Sequence, residues 1–257
     1  MPKKYKDEFY NLYKRKILNK YNFFTEVSDI IDDKKFKYLI CNIDLEIMKC
    51  AINIAKEKSN FTMNQNQAGV LRSEVVKLKK STQGVLAEMF IHFLLLERYN
   101  FNVLRYDLER PTFIYSTEEY DLKIIDDYGF EYEVESRSSN IHHTAIKRFV
   151  KEDVIIGPYG NKFKTMDVFA DFHFRPVYMP NFEPFKEEFG ETIYNSDMFN
   201  GKILLVITGV ATKEDFMNFS YKVSLGQKGT TYYVVRADVA GDVSTMDKKF
   251  SIFKTNN

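Results

Sequence analysis

Near residue 100 the apolar pattern of this chain changes its period. Before that point Val85, Leu86, Met89, Phe90, Phe93 and Leu94 recur at helical spacing and form one apolar stripe. After it, FNVLRYD (101–107), TFIYS (112–116), YDLKIID (120–126) and FEYEVES (130–136) read as strands. A helix stripe and a strand face must each be buried against something, and packing them together gives a layered α/β architecture.

The rest of the chain extends this pattern. Residues 1–60 read as a helical, polar–aromatic extension, and 61–257 as the α/β domain, with 61–68 as a connector. The spacing predicts a helix over 69–98 with a break at 81–84. It predicts a short helix at 143–152, a strand at 166–177 with a proline near its end, and a buried strand at 202–211. A helix follows at 212–223, with Thr212 as N-cap and Glu214 and Asp215 in its first turn. The last strand or two lie at 230–241. The expected fold is a central mixed β-sheet flanked by helices.

Bulk properties narrow the function. A net charge of +1 removes any argument from overall basicity. Basic clusters at 3–6, 14–16, 77–80 and 147–148 read as solvated helix faces. No apolar run reaches the roughly 20 residues of a membrane span, and the basic start has no apolar stretch behind it to act as a secretory signal. Cys41 and Cys50 are the only cysteines, which suggests reduced thiols in a cytoplasmic protein. No GxSxG occurs. GPYGNK (157–162) lacks the P-loop spacing and reads as a hairpin loop, as does LGQKGTT at 225–231.

The chemistry concentrates in YDLKIIDDYGFEYEVESRSS, residues 120–139. A turn through Asp127, Tyr128 and Gly129 sets Asp126 against Phe130 and Asp121 against Glu135. Leu122 and Ile124 then share one face with Phe130, Tyr132 and Val134, whereas a one-residue slip would put Leu122 among the acids. Asp121, Glu131, Glu133 and Glu135 converge on the other face, beside Lys123 and Arg137. Either this is the solvated face of an amphipathic hairpin, or a hard divalent cation balances charges that otherwise repel across the strands.

An Asp at the start of a hairpin, followed on the next strand by an acid, any residue and Lys, resembles the PD-(D/E)XK nuclease superfamily. Asp121 takes the Asp position, Glu133 the acid and Val134 the middle position. Glu135 stands where Lys is usual. QGVLAEMFIHFLLLERYNFNVL resembles the helix that precedes the hairpin in that family, with Glu88 as its acid. HHTAIKRFVKE falls where the family has a crossover, and ILLVITGVATKEDF resembles its late strand–helix unit. The likeness covers roughly residues 69–240.

The resemblance implies a restriction-endonuclease-like fold and a Mg²⁺-dependent DNA endonuclease, most simply a type II restriction-like enzyme, with Mn²⁺ able to substitute. Asp121, Glu133, Glu88 and Val134 form the implied metal set. Glu135 is implied in catalysis as a general base or ligand of a second ion. Lys123 and Arg137 would meet the scissile phosphate. Ser136, Ser138, Ser139, Asn140, His143 and Lys147 would contact DNA. Double-stranded DNA is the implied partner, and cutting both strands implies a two-fold homodimer with residues 1–60 serving dimerisation or recognition. Two alternatives keep the same fold: a nucleic-acid-binding protein whose Glu135 marks a lost active site, and a structure-specific repair nuclease.

Overall fold

A computed structural model describes residues 2–60, 72–109, 120–142, 144–161, 169–188, 191–225 and 229–252. The expected strand at 112–116 and the residues His143 and 226–228 lie outside them. The chain opens with helix α1 (Pro2–Leu18), strands β1 (Phe24–Ile31) and β2 (Lys34–Cys41), then α2 (Leu45–Ser59) and α3 (Glu74–Glu97). Next come β3 (Asn102–Arg105), α4 (Tyr106–Glu109), β4 (Leu122–Ile125), β5 (Glu131–Ser136), β6 (Ser139–Asn140) and α5 (Ile146–Glu152). Strands β7 (Val154–Asn161), β8 (Phe172–Phe174), β9 (Val177–Met179), β10 (Phe185–Glu188), β11 (Glu191–Tyr194), β12 (Leu204–Ile207) and β13 (Ala211–Thr212) follow. The last elements are α6 (Lys213–Phe219), β14 (Tyr221–Val223), β15 (Thr230–Arg236), α7 (Ala237–Ala240) and α8 (Val243–Ser251). This is an α/β fold with mixed sheets flanked by helices.

Helix α3 is the axis of the core. Its second half, from Val85 to Leu95, is buried all round, because α1 and α2 cover one side and the β3–β4–β5 meander the other. Phe9, Tyr13 and Phe23 pack on Phe93, with ring centroids 5.5, 5.7 and 4.4 Å away. The expected break at 81–84 does not occur. Thr82 donates its hydroxyl to the Leu78 carbonyl at 2.8 Å, so a residue that could have left the helix is satisfied inside it.

Strands β3, β4 and β5 run antiparallel, and β8 adds to β5 in parallel. Helix α5 lies between β5 and β8 in the chain. The sequence therefore reads helix, three-stranded meander, a crossover through β6, α5 and β7, and a parallel strand. The β4–β5 register pairs Leu122 with Val134 and Ile124 with Tyr132, as the apolar pattern required. Gly129 closes the turn at φ 85°. The β5–β8 pair then continues into a second sheet: Arg137 N–H donates to Phe174 O at 3.0 Å and Ser139 N–H to Pro176 O at 3.1 Å. There β6 and β9 remain parallel, and the sheet runs on through β12 and β2 to β1.

Further expectations are corrected. Residues 1–60 are not wholly helical: α1 and α2 flank the β1–β2 hairpin, whose turn residues Asp32 and Asp33 both take positive φ, 50° and 61°. Residues 157–161 are not a hairpin loop but the end of β7. The ladder to β15 skips between Ile156 and Tyr159, so Gly157 and Pro158 sit in a bulge opposite Tyr233. The N-cap at Thr212 stands, with Asp215 completing a capping box, but the helix expected over 212–223 ends at Phe219 and gives way to β14, and the last expected strand ends at Arg236 where α7 begins.

Candidate functional site

Asp121 sits just ahead of β4. Its backbone N–H donates to Val134 O at 3.2 Å, and its Oδ2 accepts the Ser136 N–H at 2.7 Å. The carboxylate is thereby held at the far end of β5, next to Glu135. Glu135 Oε1 accepts from Arg137 Nε at 2.6 Å. The Arg137 guanidinium lies 5.1 Å from the centroid of the Tyr159 ring. On the neighbouring strand His173 is in register with Glu135, and its Nδ1 lies 3.1 Å from Glu135 Oε2.

Glu88 reaches the same region from α3. Lys58 Nζ, at the end of α2, lies 3.2 Å from Glu88 Oε1 and 2.7 Å from Asp107 Oδ2. Arg105 Nη2 donates to Glu88 Oε2 at 3.2 Å and lies 3.9 Å from Asp107. Arg105 is fully buried above the Phe9 ring, with its Nε and Nη1 unpartnered among the described residues.

Four carboxylates thus share one partly closed region, and their protonation shows the crowding. Burial, then the nearby charge of Glu135, pushes the Asp121 carboxyl up to about 6. Burial pushes Glu88 up to about 8 against the pull of Lys58, with Asp107 and Asp121 adding to the rise. Glu135 goes the other way: burial would raise it, but His173 and Arg137 hold it below the ordinary carboxylate range. Lys58 is raised, since Asp107, Glu88 and Asp121 outweigh its burial.

Of the residues expected from sequence, the fold brings Asp121, Glu135 and Glu88 into one cluster, with Arg137 bonded to it. Glu133 lies one pleat further out on β5, exposed, and its backbone N–H donates to Asp171 Oδ2 at 2.9 Å. Val134 is buried and gives its carbonyl to Asp121. Lys123 bonds Glu131 at 2.8 Å. Ser138 Oγ lies 3.4 Å from Gln83 O, Ser139 Oγ accepts from Arg175 at 2.8 Å, and Asn140 Oδ1 accepts from Phe182 N–H at 3.2 Å. Lys147 is exposed on α5. Lys58, Arg105, Asp107 and His173 were not found by sequence reasoning. None belongs to a spaced motif, and only the packing of α2, β3 and β8 brings them in. Among the described residues no group of three or more His, Cys, Asp or Glu side chains is arranged to hold a metal ion. No helix among them is long and apolar enough to cross a membrane.

No protein-family model matches the chain, and no solved structure matches it. The chain is similar to a protein of Methanocaldococcus jannaschii named "Uncharacterized protein MJECS01", at 22% identity over 252 residues, covering 89% of this chain and 90% of that one. The likeness runs almost the whole length of both chains, well beyond the acidic hairpin.

Proposed function

We propose that this chain is a metal-dependent DNA endonuclease of the PD-(D/E)XK type, acting on double-stranded DNA as a homodimer. One observation carries the reading: α3, β3, β4, β5, α5 and β8 follow in that order, with α4, β6 and β7 between them, and Glu88, Asp121 and Glu135 meet where that order brings them together. The motif then reads one pleat later than the sequence suggested. Asp121 is followed by Glu135, Ser136 and Arg137, so a basic residue takes the position two after the acid.

The donor set fits Mg²⁺. That ion is held by one or two carboxylates, with water and phosphate oxygens filling the remaining positions, so a cluster of three carboxylates is not required. Asp121 is buried beside Glu135, and burial first, then that neighbouring charge, works against its ionised form. Bound there, Mg²⁺ (or Mn²⁺) would polarise the phosphodiester and lower the pKa of an attacking water. Asp121 and Glu135 would hold the ion. Arg137, steadied by Glu135 and Tyr159, would meet the phosphate. Exposed Glu133 would lie along the DNA approach and not in the cradle.

A second reading has its own observation. Glu88, Asp107 and Glu135 each already have a cationic partner within the chain. That favours a nucleic-acid-binding protein on the same fold in which internal charges have replaced the ion. The test is cleavage of supercoiled plasmid and genomic DNA with Mg²⁺, Mn²⁺ or EDTA, comparing wild type with Asp121→Asn. Discrete, metal-dependent fragments lost in the variant support a restriction-like enzyme, and nicking with the same dependence a structure-specific one. DNA retention without cleavage under every condition overturns the nuclease reading in favour of the binding protein.

A further inference from the structure

Three cations lie against the site carboxylates, and they are not equally fixed. Arg105 is 0% exposed, packed over Phe9 and bonded to Glu88. Arg137 is held by Glu135 and the Tyr159 ring. Lys58 is different: it is the penultimate residue of α2, its side chain is 29% exposed, and its ammonium reaches in on four flexible methylenes. It bonds Glu88 and Asp107 and lies within the field of Asp121.

We propose that Lys58 is the resident cation beside this site, held on Glu88 and Asp107 in the ion-free chain and withdrawing when a divalent cation binds at the adjoining Asp121 and Glu135. The inference rests on the nuclease reading for the arrival of the ion, and it adds a device that the motif does not contain. The electrostatics give the direction. An ammonium on Glu88 and Asp107 and a divalent ion on the neighbouring Asp121 and Glu135 would repel each other in a poorly solvated place. The doubly charged ion compensates more of the carboxylate charge, so the singly charged, hinged side chain is the one to leave. Its exposed flank gives it a path to solvent, which Arg105 lacks.

A further buried polar group adjoins the cluster. His173 is 0% exposed, its Nδ1 lies 3.1 Å from Glu135, and its Nε2 has no hydrogen-bond partner among the described residues. Buried polar atoms are rarely left this way unless water or an ion completes the set.

The test is Mn²⁺ binding to the full chain, read from the loss of the free-ion electron paramagnetic resonance signal, for wild type, Lys58→Met and Asp121→Asn. K58M is expected to bind Mn²⁺ at least about tenfold tighter than wild type, and D121N more weakly than wild type. Equal affinity in wild type and K58M overturns the displacement and leaves the nuclease reading standing. Binding by neither, up to millimolar Mn²⁺, overturns the divalent-ion reading and this inference with it. Should K58M fail to fold by circular dichroism, the wild type decides. With its lysines ¹³C-dimethylated, the Lys58 resonance, assigned by its loss in Lys58→Arg, is expected to move as Mg²⁺ is added and to stay in place in D121N. A Lys58 signal that stays in place while Mn²⁺ binds overturns the proposal.

Discussion

The Ser136 backbone N–H donates to Asp121 Oδ2 at 2.7 Å, and this bond ties the start of β4 to the end of β5 beyond the last ladder pair. It orients the Asp121 carboxylate towards Glu135, two residues past the acid that the sequence motif first suggests. Exchange of the two glutamates therefore separates the two frames of the motif. Glu135→Gln is expected to lower metal-dependent cleavage by more than about 100-fold, whereas Glu133→Gln keeps most of it. Rates from single-turnover cleavage decide this, and the opposite ranking would return the metal cradle to Glu133.

The same crowding has a consequence for stability. Burial raises Asp121 to about 6 and Glu88 to about 8. Between the ordinary carboxylate range and those values the folded chain binds more protons than the unfolded one, so these two groups lower stability as pH rises through that window. Asp121→Asn removes one of the charges. Its stability relative to wild type should improve on going from near pH 5 to near pH 8, by on the order of 1 kcal/mol. Urea unfolding at both pH values measures it, and a difference that does not change with pH would mean that Asp121 is well compensated in solution.

The hairpin was legible because its turn and its register signals agreed, although Phe130, expected on the apolar face, is exposed. Gly129 fixed the turn, and alternation from Leu122 to Val134 fixed the register. Helix α3 was legible from its stripe, and the break suggested before Gly84 came from Thr82 and Gln83, which are buried polar residues inside the helix. The β1–β2 hairpin was not legible. Most of β1 faces solvent, so apolar and polar residues do not alternate along it. In β7 the residues Gly157 and Pro158 signal a turn, and the fold uses them as a bulge. Lys58 and His173 could not be found at all, since their roles exist only once α2 and β8 are packed in place.

Gly209 has no room for a side chain. A Cβ there would lie 2.4 Å from Gly241 O and 2.6 Å from Ala240 O, both backbone atoms that cannot rotate away. Gly209→Ala is expected to destabilise by roughly 1–3 kcal/mol. Gly129→Ala meets nothing within 4 Å and carries only the cost of its φ of 85°, about 1–2 kcal/mol. Since G209A strains the junction of β12 with α7 and α8, it should lower the thermal midpoint without changing the β4–β5 hairpin. Amide exchange at Asp121 and Ser136 reports the second point, and faster exchange there in G209A would show that the strain spreads to the site.

Phe250 links the last helix to the strand that carries His173. Its ring lies 4.5 Å from that of Tyr99, 4.8 Å from Phe172 and 5.5 Å from Phe101, and it stacks on Phe174 at 6.3 Å. Phe172 and Phe174 flank His173 on β8 and point to the opposite face. Truncation of Phe250 therefore removes the support under the strand that sets His173 against Glu135. Phe250→Ala is expected to cost about 3–5 kcal/mol, and Phe250→Leu, which keeps most of the volume, less than half of that. Where folded F250L is isolated, its cleavage rate should fall together with the loss of the Glu135–His173 contact, read as a shift of the His173 ring resonances. Unchanged His173 resonances with full activity would show that β8 is held by its ladder to β5 alone.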